Sequence, residues 1–149
     1  YLADIITSTL KNVTYTGFDI EDEIVSKARE NCKNGNFMLG SIYELSSFKN
    51  QKFDYVILSE VLEHVNEPDK ALKTLSELNA DKFIFSVPDE PIWRVLNILR
   101  FKYLKDLGNT PGHIQHWSKK EFKILIEEYF RIIEFKSVFP WSMALCEKK

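Results

Sequence analysis

The chain has 149 residues, 44% hydrophobic and 13% aromatic, which suits one globular domain with a sizeable core and argues against a second. With 20 basic and 22 acidic residues the net charge is −2, so the broad positive field of a nucleic-acid binder is missing and a long polyanion is a disfavoured partner. No apolar run approaches the ~18 residues of a membrane span, the N-terminus shows no secretory signal, and Cys32 and Cys146 fall in no metal or redox spacing; these features predict a cytoplasmic protein with reduced thiols.

Leu2, Ile5, Ile6 and Leu10 mark one face of an opening helix, which Asn12 stops before a strand at Val13 to Phe18. Glu21 to Cys32 reads as a helix, and Asn34-Gly35 turns the chain into a short strand at Asn36 to Leu39. A polar stretch from Ser46 to Lys52 leads to a stronger strand at Phe53 to Leu58, expected to be buried. Pro68 starts a helix whose apolar stripe is Ala71, Leu72, Leu75 and Leu78, and the strand Lys82 to Val87 ends at Pro88.

Beyond Pro88, Ile92, Val95, Leu96 and Leu99 form a helical stripe on a segment that also holds Arg94, Arg100, Lys102 and Lys105, so Pro91 to Tyr103 reads as a basic amphipathic helix. Asn109 to Gly112 is a loop. Ser118, with Glu121 three residues on, is a capping-box start for a helix through Tyr129. Arg131 to Val138 and Trp141 to Cys146 read as strands, and Pro140 between them makes an antiparallel pair plausible. Strands alternating with helices predict an α/β fold with a mostly parallel sheet, closed by this C-terminal antiparallel pair.

Several segments resemble class I S-adenosylmethionine-dependent methyltransferases, in order and spacing, over nearly the whole chain. The run Tyr15 to Ile20 is similar to the second strand of that family. There the terminal acidic residue accepts hydrogen bonds from both ribose hydroxyls of the cofactor, and the next apolar residue packs on the adenine; these positions are Asp19 and Ile20. Phe37 to Ile42 resembles the third strand and adenine-edge loop, with Ser41 where the family often has an aspartate, so Ser41 and the Ile42 amide are implied contacts to the base. Phe53 to Val65 is similar to the fourth strand and following turn of many small-molecule methyltransferases. The resemblance implies that Ser59 and Glu60 meet the methionine part of S-adenosylmethionine through backbone groups.

Glu60, Glu63 and His64 are spaced three and four apart, so a helical turn would place them on one face. Three readings of His64 stay open at this point. It packs structurally on the cofactor; it acts as a general base on a substrate hydroxyl or amine, which the ordinary histidine pKa of about 6.5 suits; or it joins Glu60 and Glu63 around a divalent metal, with His113 or His116 as a further ligand. Asn109 to Ser118 resembles the loop that closes the substrate side in a group of bacterial methyltransferases, so His113 and His116 join His64 as candidate catalytic residues. Residues 89–117 then read as a lid or substrate-side insertion within the domain 1–149.

The resemblance implies a Rossmann-like methyltransferase fold and methyl transfer to a small-molecule, glycan or lipid-intermediate acceptor, with oxygen the favoured acceptor atom. The partner is then a small-molecule substrate. The family's first strand and glycine-rich cofactor loop have no counterpart in the sequence, which predicts two strand edges without their usual partner and poor cofactor binding by residues 1–149 alone. A non-catalytic binding or scaffold relative is the alternative. A nucleotide-dependent oxidoreductase ranks third, since Asp19 alone would also fit a nicotinamide cofactor.

Overall fold

A computed structural model of the chain describes residues 2–101, 103, 107, 110 and 112–149, apart from the side chains of residues 90, 91 and 93–95. It divides into two compact units, Tyr1–Glu44 and Leu45–Lys149. The first holds helix α1 (Leu2–Thr9), strand β1 (Tyr15–Asp19), helix α2 (Asp22–Asn31) and strand β2 (Gly35–Leu39). The two strands pair in parallel, from Tyr15 opposite Gly35 to Asp19 opposite Leu39. Helix α2 is the expected one, with Glu21 and Cys32 as its caps and Val25 buried. Helix α1 ends at Thr9, before the expected stop, and Asn12 in the turn after it takes the left-handed conformation that asparagine tolerates (φ 60°). The face of α1 differs from expectation. Ala3, Ile6 and Thr7 are half-buried while Leu2, Ile5 and Leu10 are exposed, because the contacts of this helix with β1 and β2 cover only one narrow stripe.

The second unit contains strand β3 (Lys52–Ser59), helix α3 (Pro68–Ser76), strand β4 (Asn79–Pro88), helices α4 (Glu90–Leu99) and α5 (Lys119–Tyr129), and strands β5 (Phe130–Val138) and β6 (Trp141–Lys148). Its sheet runs β3-β4-β6-β5, with β3 parallel to β4 and the other pairs antiparallel. The core follows from the register. Phe83, Phe85 and Val87 of β4 stand opposite Cys146, Ala144 and Ser142 of β6, so large and small side chains alternate across the ladder. The space beside the small residues admits Phe130, whose ring lies 4.7 Å from that of Phe83 and 4.9 Å from that of Phe85. Ala71, Leu72 and Leu75 of α3 and Phe122 and Ile126 of α5 complete this layer, all buried.

Four expectations fare differently here. Pro68 stands in the first turn of α3, and the Ser118–Glu121 capping box opens α5, as the sequence indicates. Strand β3, expected to be buried, is not: Leu58 is its one buried residue and Tyr55 is 58% exposed. The reason is topological, since β3 is an edge strand that pairs with β4 alone. Helix α4 is shorter than the Pro91 to Tyr103 helix expected, because Phe101 and Tyr103 adopt positive φ (55° and 52°). Of the residues singled out in this part of the chain, Lys102, Lys105, Asn109 and Pro111 lie outside the described residues, as do the side chains of Arg94 and Val95.

Candidate functional site

The candidate residues fall in both units. In the first, Asp19 closes β1 and Gly40-Ser41 follows β2, side by side at the carboxyl ends of parallel strands, where open α/β sheets place ligands. The Gly40 amide donates to the Asp19 carbonyl at 2.9 Å. Oδ1 of Asp19 accepts from the Glu21 amide at 3.0 Å, which fixes the carboxylate against its own turn and leaves Oδ2 without a partner among the described residues. Ile20, next in sequence, is 72% exposed. An oriented carboxylate beside an uncovered apolar surface fits the diol and base of a nucleoside. Ser41 uses its hydroxyl to accept from the Tyr43 amide at 3.3 Å, and the Ile42 side chain is buried, so Ile42 can meet a ligand through its backbone only.

In the second unit, Ser59 closes β3 and Glu60 follows it. Glu60 has φ 55°, which breaks the helical run before it starts, and the turn that follows is the short 3-10 segment Leu62–His64. Glu60 therefore does not share one helical face with Glu63 and His64. Its amide donates to the Ser86 carbonyl at 3.1 Å. The Ser86 hydroxyl donates to Oε1 of Glu60 at 3.2 Å and the Trp141 indole to Oε2 at 2.9 Å. Since the Ser86 proton is committed to Glu60, the Ser59 hydroxyl donates to Ser86 Oγ, 2.9 Å away. Burial pushes the Glu60 carboxyl above the usual carboxylate range; the bonds from Trp141 and Ser86, then the nearby His113 and His64, pull the other way. Glu60 is thus held by β4 and β6, and what it can offer a ligand is its carbonyl.

Glu63, His64 and His113 are brought together instead. One ligand atom from each lies within 4.8 Å of the others, and the two imidazole rings meet edge to face at 4.8 Å. Glu63 is 1% exposed, His64 is exposed and His113 is half-buried. Backbone bonds build this arrangement. The amides of Ile114 and Gln115 both donate to the Glu63 carbonyl (2.9 and 3.1 Å), and the Gln115 side chain donates to the Val65 carbonyl at 3.2 Å. The loop after Gly112 is thereby fastened onto the turn after β3. A carbonyl can only accept, so the 2.9 Å contact between His64 Nδ1 and the Gly112 carbonyl places the proton on Nδ1 and the lone pair of a neutral ring on Nε2. Gly112 has φ +89°, the conformation that favours glycine in this turn, while a Cβ there would meet His64 Nδ1 only at an ordinary contact distance of 3.4 Å. His116 is exposed and stands outside this group.

Sequence reasoning found His64 and His113 but missed Gly112, whose carbonyl sets the His64 ring, and Ser86 and Trp141, which hold Glu60 and read as ordinary strand residues. The one available signal was the density of polar groups in the segment from Asn109 to Ser118.

The profile of a methyltransferase-domain family matches residues 1–136. Among solved structures, the chain is similar to a protein from Pyrococcus horikoshii OT3 (22% identity, TM-score 0.70, 93% of this chain and 73% of that one). It is also similar to a chain of the complex between the Haloferax volcanii Trm112 methyltransferase activator and a methyltransferase (14%, TM-score 0.74, 99% and 76%). A third is the magnesium protoporphyrin IX methyltransferase of Synechocystis PCC 6803 with bound S-adenosylhomocysteine (19%, TM-score 0.68, 99% and 69%). At these identities the likeness establishes the Rossmann-like fold. No curated protein matches the chain significantly. The family profile, which ends within β5, decides against the oxidoreductase reading: the chain belongs to the methyltransferase-domain family, whose methyl donor is S-adenosylmethionine.

Proposed function

We propose that the chain transfers a methyl group from S-adenosylmethionine to a hydroxyl oxygen of a small-molecule, glycan or lipid-intermediate acceptor, in the cytoplasm, with His64 as the general base. Asp19 and Ile20 bind the ribose and adenine, with Ser41, the Ile42 amide and backbone groups of Ser59 and Glu60 as further contacts. The observation that carries the reading is the Nδ1 bond from His64 to Gly112, which leaves Nε2 as a proton acceptor on an exposed side chain. The cofactor supplies a methyl group already activated on a sulfonium. The acceptor oxygen bonds to that carbon as the carbon–sulfur bond breaks, and the hydroxyl proton passes to His64 Nε2 and on to solvent. His113, edge-on to His64, orients the ring, and His116 lies on the substrate side of the same loop. The net charge of −2 and the two buried, unpaired cysteines support a small acceptor and a reducing compartment.

A second reading is favoured by the grouping of Glu63, His64 and His113, a hard and borderline donor set suited to a divalent cation that would acidify the acceptor hydroxyl. Ligand atoms around one ion lie at most about 4.2 Å apart, twice a metal–nitrogen bond, so the observed 4.8 Å needs a small contraction to serve. One experiment separates the readings: methyl transfer by His64→Ala and wild type, with and without a chelator, alongside calorimetry with S-adenosylhomocysteine. The base reading expects a loss of roughly 10²–10⁴-fold in kcat, unchanged product affinity and no effect of chelator. Chelator sensitivity of the wild type replaces it with the metal reading. Unimpaired turnover by His64→Ala defeats both.

A further inference from the structure

We propose that Trp141, on β6, is a positioning residue for S-adenosylmethionine: with Ser86 it holds Glu60 in the left-handed turn that aims the Glu60 carbonyl at the methionine part of the cofactor. This deepens the cofactor-binding reading and rests on its assignment of Ser59 and Glu60. Residue and backbone are mismatched at Glu60. Its φ is 55°, a region that glycine enters freely and glutamate does not. Such a conformation persists only where the surroundings over-determine it. Here the side chain supplies the restraint. Oε1 accepts from the Ser86 hydroxyl at 3.2 Å and Oε2 from the Trp141 indole at 2.9 Å, both bonds to a carboxylate and so of the strong kind. The Glu60 amide adds a third bond, to the Ser86 carbonyl at 3.1 Å.

The anchor is itself well placed. Trp141 pairs with Pro88 of β4 on one side and with Val138 of β5 on the other, and the Asp89 amide donates to the Pro140 carbonyl at 2.8 Å. A donor on a strand paired along both edges keeps its direction better than one on a loop. The Ser59 hydroxyl donates to Ser86 Oγ, so the side chains of both cofactor-contact residues are tied to the strands beside them. Backbone is what remains for a ligand. Since the Glu60 amide is committed to Ser86, the carbonyl is left, and a carbonyl can only accept. Of the two polar ends of a methionine moiety it suits the ammonium and not the carboxylate.

The test is calorimetry with S-adenosylhomocysteine on the wild type, Trp141→Phe, Glu60→Gln and the double variant. Trp141→Phe keeps an aromatic ring and deletes the N–H; Glu60→Gln keeps the shape and turns an amide N–H2 toward one of the two donors. Each should lose roughly tenfold in affinity. The double variant should bind no more weakly than the singles, because both break the same tether. Hydrogen exchange without ligand is the second measurement: in either single variant the Glu60 amide should exchange faster, while the amides pairing β4 with β6 keep their protection. Should Trp141→Phe lose that protection, Glu60→Gln, which leaves the tryptophan in place, decides by the same two readouts. Wild-type affinity in the single variants, with Asp19→Ala weakened, overturns the inference and leaves the cofactor reading standing. Losses that add, or unchanged exchange at Glu60, make Trp141 a packing residue and also overturn it. No binding by the wild type overturns the assignment of Ser59 and Glu60 and the inference with it.

Discussion

The two units of this chain use similar strand sequences to opposite ends. In Leu45–Lys149, β4 is buried along its second half and its phenylalanines lock onto β6 and Phe130, so side chains are spent on packing. In Tyr1–Glu44, Val25, Cys32 and Ile42 are the buried apolar residues among the described ones, and Asp19 and Ile20 stay uncovered. Two-stranded sheets are marginal on their own. The larger unit therefore holds most of the buried core.

The strongest way to break that comparison is Phe130→Ala. Its ring touches those of both Phe83 and Phe85 and is fully buried, so truncation should cost about 3–5 kcal/mol in urea denaturation, a large share of the total stability of a domain. A cost below 1 kcal/mol would mean that the aromatic layer is not the core.

The two cysteines sharpen the same contrast from within each unit. Burial pushes the Cys146 thiol up to about 12, and its side chain is fully covered by the sheet. Alkylation at pH 8 should therefore label Cys146 only through global unfolding, while Cys32, in the small unit, is labelled first through cheap local opening. The linkage has a definite sign. A thiol whose folded pKa is raised above its unfolded value of 9.0 contributes stability that is complete below pH 9 and is lost as pH rises toward 12. Cys146→Val should flatten that part of the alkaline stability profile; an unchanged slope, or simultaneous labelling of the two thiols, would count against unequal units.

Asp19→Ala moves the test from stability to binding. One oriented carboxylate bonding a diol is worth about 1.5–3 kcal/mol, so calorimetry with S-adenosylhomocysteine should show a loss of roughly 10- to 100-fold in affinity. The melting temperature should stay within a degree or two, because the Asp19 carboxylate holds only the Glu21 amide. The reverse outcome, lost stability with affinity intact, would make Asp19 a turn residue.

How much of this was legible in the sequence depends on the range of the physics involved. Helix α2, the start of α3 at Pro68 and the antiparallel pair β5-β6 are set by local signals, and the structure has them where those signals stand. The exposure of β3 was half legible: Tyr55 and Ile57 have the composition of a buried strand, which misleads, while the expectation of a strand edge lacking its usual partner fits β3, at the end of its sheet. His64 and His113 could be picked out as residue types. Their meeting depends on the bonds from Ile114 and Gln115 to the Glu63 carbonyl, contacts between residues some 50 positions apart that leave no periodic trace. Glu60 shows the converse. Spacing alone put it with Glu63 and His64, and a single left-handed φ sends its carboxylate to Ser86 and Trp141.

The smallest expected effect lies at the start of α5. The Ser118 hydroxyl accepts from the Glu121 amide at 3.4 Å and Glu121 bonds back to the Ser118 amide at 2.8 Å, so two of the helix's unsatisfied amides are closed reciprocally. Ser118→Ala should cost about 1 kcal/mol. The bonds from Ser118 hold the Glu121 carboxyl below the usual carboxylate range, so their contribution is present above the unfolded glutamate pKa and is lost as pH falls through the lower folded value. The cost of Ser118→Ala measured by urea denaturation should accordingly shrink at acid pH. A cost independent of pH would reduce the box to the serine alone. Because α5 packs Phe122 and Ile126 into the larger unit, the whole effect should appear in the stability of that unit, with the affinity for S-adenosylhomocysteine unchanged.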